Sequence, residues 1–494
     1  MKKIVGYLFL GILYIVILIV IVYKTYSYVS SPISGPKYDD RFVKTYNAID
    51  KQDKKIDKKQ DIDYFGDNLT RDRYNLDITF ENNAISVNQT LIYTNPSHKP
   101  ISHIKLYVYG HTNFEGFSLT KIESPFLKSQ SYQGGFLDIY LDTPLPKEKS
   151  ISINLEFKTN LKNTGRTALV GSELHMANFY FQPCLYTNDY ILPIQKDFGE
   201  GYASNISDFY VSIHLPINYK VSSAGKMINE KKDDTKIHYD YIATQIRDYA
   251  FFASPNYIEK YKLIDGILIK AYFLTSDPKL HKVTFDTIEK VFSLYNESFG
   301  LYPYETFNIV FCNYSGAMEY SSLIMLDANI LNNSNLSRFE RVIAHESAHQ
   351  WWYGVVGNDQ GRNPWIDESL ASYSEYYFWY HTYGKASATN YAQTIFNAYA
   401  ARYEGTAPNC SVRSSLDCFN TEESYRSVVY RRGAMAWNSL EKDTSMESIT
   451  TFLKALYSEN RFKLLDETSF LNFTSHYFDE TSFLNFIDYI SKPL

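Results

Sequence analysis

The chain has 494 residues, 45% of them hydrophobic and 21% charged, with a formal net charge of −6. Such a length exceeds what one hydrophobic core organises, so two or more domains are expected. The mildly negative balance excludes the basic field that nucleic-acid binding requires. The 45 tyrosines are an unusual share, which we read as compositional bias.

Residues 4–22 are apolar and uncharged, between Lys2-Lys3 and Lys24. That length spans the ~30 Å hydrocarbon layer of a bilayer and exceeds the core of a cleavable signal, ~7–15 residues. The expectation is a membrane anchor over 1–24, with the N-terminus inside and the rest of the chain outside. Residues 25–63 contain the run Asp50-Lys51-Gln52-Asp53-Lys54-Lys55, whose charges nearly cancel and which offers little to bury; they read as a linker or stalk.

From residue 64 to 256 short runs rich in Ile, Val, Tyr and Leu alternate with turn clusters such as Asn95-Pro96-Ser97 and Gln133-Gly134-Gly135. The pattern predicts an antiparallel all-β N-terminal domain. A second domain, 257–494, opens with a strand over 263–273. A helix over 277–299 and strands over 306–312 and 321–327 follow, and the chain beyond 336 is mainly helical. Of four cysteines, Cys410 and Cys418 stand close enough to pair outside the cell, and Cys312 reads as a buried thiol. The segment Asp466-Glu467-Thr468-Ser469-Phe470-Leu471-Asn472-Phe473 recurs unchanged at 479–486. Each copy suits a helix N-terminus, so we expect two similar helices.

The chemistry gathers at Val342-Ile343-Ala344-His345-Glu346-Ser347-Ala348-His349. Residues i and i+4 share one face of a helix, so His345 and His349 can hold one zinc ion. Glu346 lies about 100° further round, within reach of a water on the metal. Catalytic zinc usually takes three protein ligands, and Glu368, nineteen residues past His349 in the helical segment after Asn363-Pro364, supplies the third. Glu375, two turns beyond Glu368, is predicted to accept the other ring proton of His345. The remaining histidines form no metal spacing.

Together these residues resemble the aminopeptidase N family of zinc metallopeptidases, the gluzincins, whose pattern is H-E-x-x-H, eighteen residues, then Glu. Gly316-Ala317-Met318-Glu319-Tyr320 resembles the family's G-A-M-E-N strand except at its last position, and Tyr430-Arg431-Arg432-Gly433 resembles its Y-x-x-G segment. The resemblance implies a thermolysin-like α+β, mainly helical catalytic domain holding one Zn2+, which acidifies a water and polarises the scissile carbonyl. It implies Glu346 as general base and Tyr430 as the donor to the oxyanion, with Tyr425 a rival five residues earlier. It implies that Glu319 holds the substrate's free α-amino group, while Gly316, Ala317 and Met318 line up the peptide backbone. Phe198-Gly199-Glu200-Gly201 has a counterpart in many members and receives no role here.

Only 64 residues follow Tyr430, so the resemblance is to a short form without the large helical C-terminal domain. An open cleft, or one closed by an oligomer or partner subunit, is expected. The leading function is a membrane-anchored aminopeptidase acting on peptides with a free N-terminus, its catalytic domain extracellular. An open-cleft zinc endopeptidase and a catalytically silent surface receptor are the alternatives.

Overall fold

Strict alternation sets the first strand: in Arg73–Glu81, Tyr74, Leu76, Ile78 and Phe80 are buried between half-exposed neighbours. Asn82 and Asn83, both at positive φ (53° and 61°), turn it into Ala84–Thr94, as a two-residue hairpin requires. The structure is a computed structural model and describes residues 71–331, 336–402 and 405–493. The expected anchor (4–22) and stalk (25–63) lie outside the described residues. Among those described, no helix is long and apolar enough to cross a membrane.

The architecture is the expected one, a β-rich front followed by a mainly helical region. A seven-stranded sheet has Arg73–Glu81 at its centre, and two four-stranded sheets join it around one apolar core. One pairing departs from the antiparallel expectation: Arg73–Glu81 runs parallel to Ser207–Pro216. More than a hundred residues separate the two strands, so no hairpin dictates their relative direction.

The second core is built on a five-stranded mixed sheet and the helices behind it. The single strand expected over 263–273 is instead a hairpin, Ile258–Ile264 and Ile267–Phe273. Asp265 (φ 50°) and Gly266 (φ 82°) form its turn, an Asp-Gly signal masked by the apolar residues on both sides. Ala317–Met318 forms one edge of this sheet, pairing antiparallel with Leu323–Asp327.

Helix Pro278–Ser298 starts at the Asp277 cap with proline in its first turn, and buries Leu280, Ile288, Val291, Phe292 and Tyr295. Tyr295 donates from its hydroxyl to the carbonyls of Ala344 and Ser374. It thereby ties together the two helices that matter most, Leu336–Ala348 and Trp365–Tyr383. The repeated octapeptide forms the starts of helices Glu467–Ser475 and Glu480–Ser491, capped by Asp466 and Asp479. Phe470 and Phe486 of the two copies both pack on Trp437. Cys410 and Cys418 are disulfide-bonded, and Cys184 and Cys312 are buried free thiols.

One buried cation fastens the β-rich front to the helical region. Arg247 donates from Nε to the carbonyl of Tyr353 (2.7 Å) and from its terminal nitrogens to those of Ser204 (2.8 Å) and Lys463 (3.2 Å). Asp248 beside it accepts from the Ser321 amide and the Tyr353 hydroxyl, each at 2.8 Å. Replacing Arg247 by Met would orphan several buried carbonyls, each costing ~1–3 kcal/mol. We expect R247M to lose about 3 kcal/mol or more of unfolding free energy in urea titrations; a loss below about 0.5 kcal/mol would contradict this role.

Candidate active site

His345 lies in the last turn of helix Leu336–Ala348 and His349 just past its end, with their Nε2 atoms 3.2 Å apart. Glu368, in the first turn of helix Trp365–Tyr383, brings Oε2 to 3.2 Å from His345 Nε2 and 3.4 Å from His349 Nε2. The far side of each ring is committed. His345 Nδ1 lies 2.8 Å from Glu375 Oε1, and His349 Nδ1 lies 3.0 Å from the carbonyl of Trp352. Both partners only accept, so both Nδ1 atoms carry protons, and in neutral rings both Nε2 lone pairs face the same carboxylate. Glu368 Oε2 is buried without a hydrogen-bond partner.

Three acceptors aimed at one point demand a positive charge between them. Burial works against a charged His345, yet Glu368 and Glu375 hold its imidazole up to about 9. Burial would likewise raise Glu368, yet His349 and His345 hold it well below the usual carboxylate range. Two nitrogens and one carboxylate oxygen with oriented outer rings are the donor set that zinc takes in hydrolases. The residues present therefore fit a zinc ion, with His345, His349 and Glu368 as its holders.

Glu375 is itself braced. Burial pushes its carboxyl up, but Arg431, His345 and Arg341 bring it down to about 2. Arg431 lies 3.4 Å from Oε1 and Arg341 3.8 Å from Oε2, and the Tyr391 hydroxyl donates to Oε2. Glu346 is buried beside His345 and lines, with it and Tyr430, a cavity of about 340 Å³. Burial raises the Glu346 carboxyl to about 7 against the pull of both histidines.

Tyr430 donates to Glu368 Oε1 at 2.5 Å, and its ring stacks on His345. It sits in a π-helical stretch, Arg426–Arg432, a feature that marks functional sites. The wider turn sets Tyr425 edge-on behind Tyr430, with ring centroids 5.5 Å apart, so the rival tyrosine backs the first one. The motif's glycine has a steric reason: a Cβ at Gly433 would stand 2.6 Å from Ser369 Cβ, next to Glu368.

Around His349 the site is acidic. Glu319 is buried, and its Oε1 accepts from Gln360 Nε2 (3.1 Å), which also donates to Asp367 Oδ2 (2.9 Å). Glu200 reaches the same place, held by Arg166 at 2.6 Å. Carboxylate oxygens of Glu200, Glu319 and Glu368 lie within 4.8 Å of one another, as do ligand atoms of Glu319, His349 and Asp367. Burial, reinforced by the neighbouring carboxylates, raises Glu319 to about 8 and Glu200 and Asp367 to about 7. Sequence reasoning left Glu200, Gln360 and Asp367 without roles. The signal for Glu200 lay in its flanking glycines: a Cβ on Gly201 would fall 1.6 Å from the carbonyl oxygen of Ile194, and Gly199 has φ of +69°.

Gly316 (φ 152°) precedes the edge strand, and Gln350, just past His349, ties the turn after that strand to the end of the histidine helix. Gln350 accepts from the Ser322 amide at 2.8 Å and donates to the Tyr320 carbonyl at 3.2 Å. Met318 Sδ accepts from Arg166 at 2.9 Å. Tyr320 is buried against Phe252.

Residues 283–488 match the peptidase family M1 domain. Aminopeptidase N of Oryctolagus cuniculus is 26% identical over 171 residues, 30% of this chain and 17% of that protein. Human aminopeptidase N is 39% identical over 69 residues, 13% of this chain and 7% of that protein. The chain thus spans less than a fifth of the length of these curated relatives. In fold, an M1 zinc metallopeptidase from Deinococcus radiodurans, solved as a mutant bound to a Tyr-Ser-Ala substrate, matches with a TM-score of 0.65. It is 15% identical, and the match covers 85% of this chain and 94% of that one.

If Glu375 orients His345, its replacement should weaken metal binding without unfolding the protein. We expect one zinc per chain by elemental analysis, and a zinc affinity about 10–100-fold lower in E375Q by chelator competition. Equal affinities in the two proteins would remove Glu375 from the site.

Proposed function

We propose, from the match of residues 283–488 to the peptidase family M1 domain, that this chain is a zinc-dependent aminopeptidase releasing N-terminal residues from peptides. The observation that carries the reading is the junction of the His345–His349–Glu368 donor set with the buried carboxylates of Glu319, Glu200 and Asp367. The first fits the metal, and the second fits a cation of the substrate within a few ångströms of it.

Held by His345, His349 and Glu368, zinc would supply a Lewis acid that activates water at neutral pH. Glu346, buried beside His345, is placed to accept a proton from the attacking water and return it to the leaving amine. The Tyr430 hydroxyl donates to the oxygen that gains negative charge as the carbonyl is attacked. Glu319 receives the substrate's α-ammonium, with Glu200 and Asp367 adding to the negative field, while Gln360 fixes the Glu319 carboxylate. The edge strand Ala317–Met318 presents backbone groups to which an extended peptide can add as a further strand. The Tyr-Ser-Ala substrate in the Deinococcus radiodurans relative supports short peptides as the class cleaved.

Residues 4–22 form the membrane anchor in this reading, holding the catalytic region outside the cell. The full chain should then remain with membranes after an alkaline carbonate wash and become soluble when residues 1–24 are deleted; release of the full chain by the wash would refute the anchor.

E346Q should retain zinc and lose ~10²–10⁴-fold in kcat, and Y430F ~10²–10³-fold, measured on an aminoacyl fluorophore. N-acetylation of a peptide should abolish its cleavage, because it removes the charge that Glu319 holds. Equal hydrolysis of free and acetylated peptides would point to an endopeptidase.

A further inference from the structure

The site is electrically polarised. The acidic side gathers about His349, where Glu319 and Asp367 bring carboxylate oxygens close to the ring. The opposite charge gathers about His345. The cavity of about 340 Å³ bounded by His345, Glu346 and Tyr430 is lined by four arginines, Arg338, Arg341, Arg426 and Arg431, against two glutamates, Glu346 and Glu375. Glu319 and Glu200 do not line it. Its size lies at the lower end of the ~300–1,000 Å³ typical of ligand pockets, room for a residue or two of peptide.

Two of the arginines are held by the protein's own carboxylate. Arg341 and Arg431 both turn to Glu375, which His345 and Tyr391 also engage. Among the described residues Arg426 forms one ion pair, the i,i+4 pair with Glu422 at 3.2 Å, both side chains about half exposed, and such surface pairs hold weakly. Its guanidinium lies over the Tyr430 ring, 5.7 Å from the centroid, one side chain from the reacting centre. A planar fork beside a cavity is suited to grip a carboxylate with two parallel hydrogen bonds.

We propose that this cavity is a carboxylate-binding subsite for the residues following the scissile bond, with Arg426 the specificity-determining contact. Resting on the aminopeptidase reading, the inference makes the enzyme selective for peptides that present a negative charge one or two residues beyond the cut. The charge is either the C-terminal carboxylate of a di- or tripeptide or an acidic side chain. The substrate's ammonium then lies at the Glu319 side and its carboxylate at the Arg426 side, so a short zwitterionic peptide matches the polarity of the site from end to end.

Two peptide pairs distinguish the sources of the carboxylate: Ala-Ala-Ala as free acid and as amide, and the amides of Ala-Asp-Ala and Ala-Asn-Ala. We expect kcat/KM to favour the charged member of at least one pair about tenfold or more, as a charge-assisted hydrogen bond would give, and the preference to shrink as salt rises. In R426M that ratio should fall towards one. Binding gives a readout free of turnover: in E346Q, calorimetry should show the charged peptide bound about tenfold more tightly than its neutral partner, and E346Q/R426M should lose the gap. If all four peptides are cleaved at equal rates, the subsite is wrong and the aminopeptidase stands. A wild-type ratio that R426M preserves would move the preference to another group and overturn Arg426's role. If neither the peptides nor an aminoacyl fluorophore are cleaved in a chelator-sensitive manner, the underlying activity itself fails.

Discussion

Two imidazole nitrogens and a carboxylate oxygen, buried within 3.4 Å of one another, set the constraint on which the rest depends. In neutral rings with both Nδ1 protons committed outward, none of the three can donate, so the cluster calls for a positive charge between them. Removing one member of such a buried set leaves an uncompensated charge, at a cost of about 3–5 kcal/mol. The protein therefore invests in holding the geometry. Glu375 fixes one ring and the Trp352 carbonyl the other, while Tyr295 pins the backbones of both contributing helices from beneath.

The β-rich front contributes directly to this chemistry. Glu200 and Arg166 come from it, and their ion pair sets a carboxylate beside Glu319. Its attachment runs through Arg247 and Asp248, which reach the loop just after the histidine helix. A change in how the two regions pack would shift Glu200 relative to His345, His349 and Glu368, so the interface is part of the site's positioning. The raised carboxyls of Glu200, Glu319 and Asp367 show what that positioning costs: several acids crowded where burial disfavours their charge, relieved when a cation arrives.

Crowding of like charges at one side and of arginines at the other makes the cleft a dipole with the zinc donor set between. Each side is charged mostly by residues from different elements. The acids come from a loop, the residue just past the edge strand and a helix start; the arginines come from the histidine helix and the π-helical stretch. The π-helical turn does two things at once. It lifts the Tyr430 hydroxyl to Glu368 and leaves the guanidinium of Arg426 over the same ring.

Local spacing determined the part of this site that lies on single helices. The i,i+4 histidines, the adjacent Glu346 and the seven-residue step from Glu368 to Glu375 are fixed by 3.6 residues per turn, and they were legible before any coordinates. The same is true of the alternating strands and of the paired Asp caps in the C-terminal repeat. The hairpin at Asp265-Gly266 was also written in the sequence, but apolar residues on both sides hid it. Tertiary structure alone decided what comes together from distant segments: the parallel pairing of Arg73–Glu81 with Ser207–Pro216, the arrival of Glu200 beside Glu319, and the gathering of arginines around Glu346. Periodicity specifies which residues share a face of one element, whereas the meeting of faces from different elements depends on packing that no local pattern encodes.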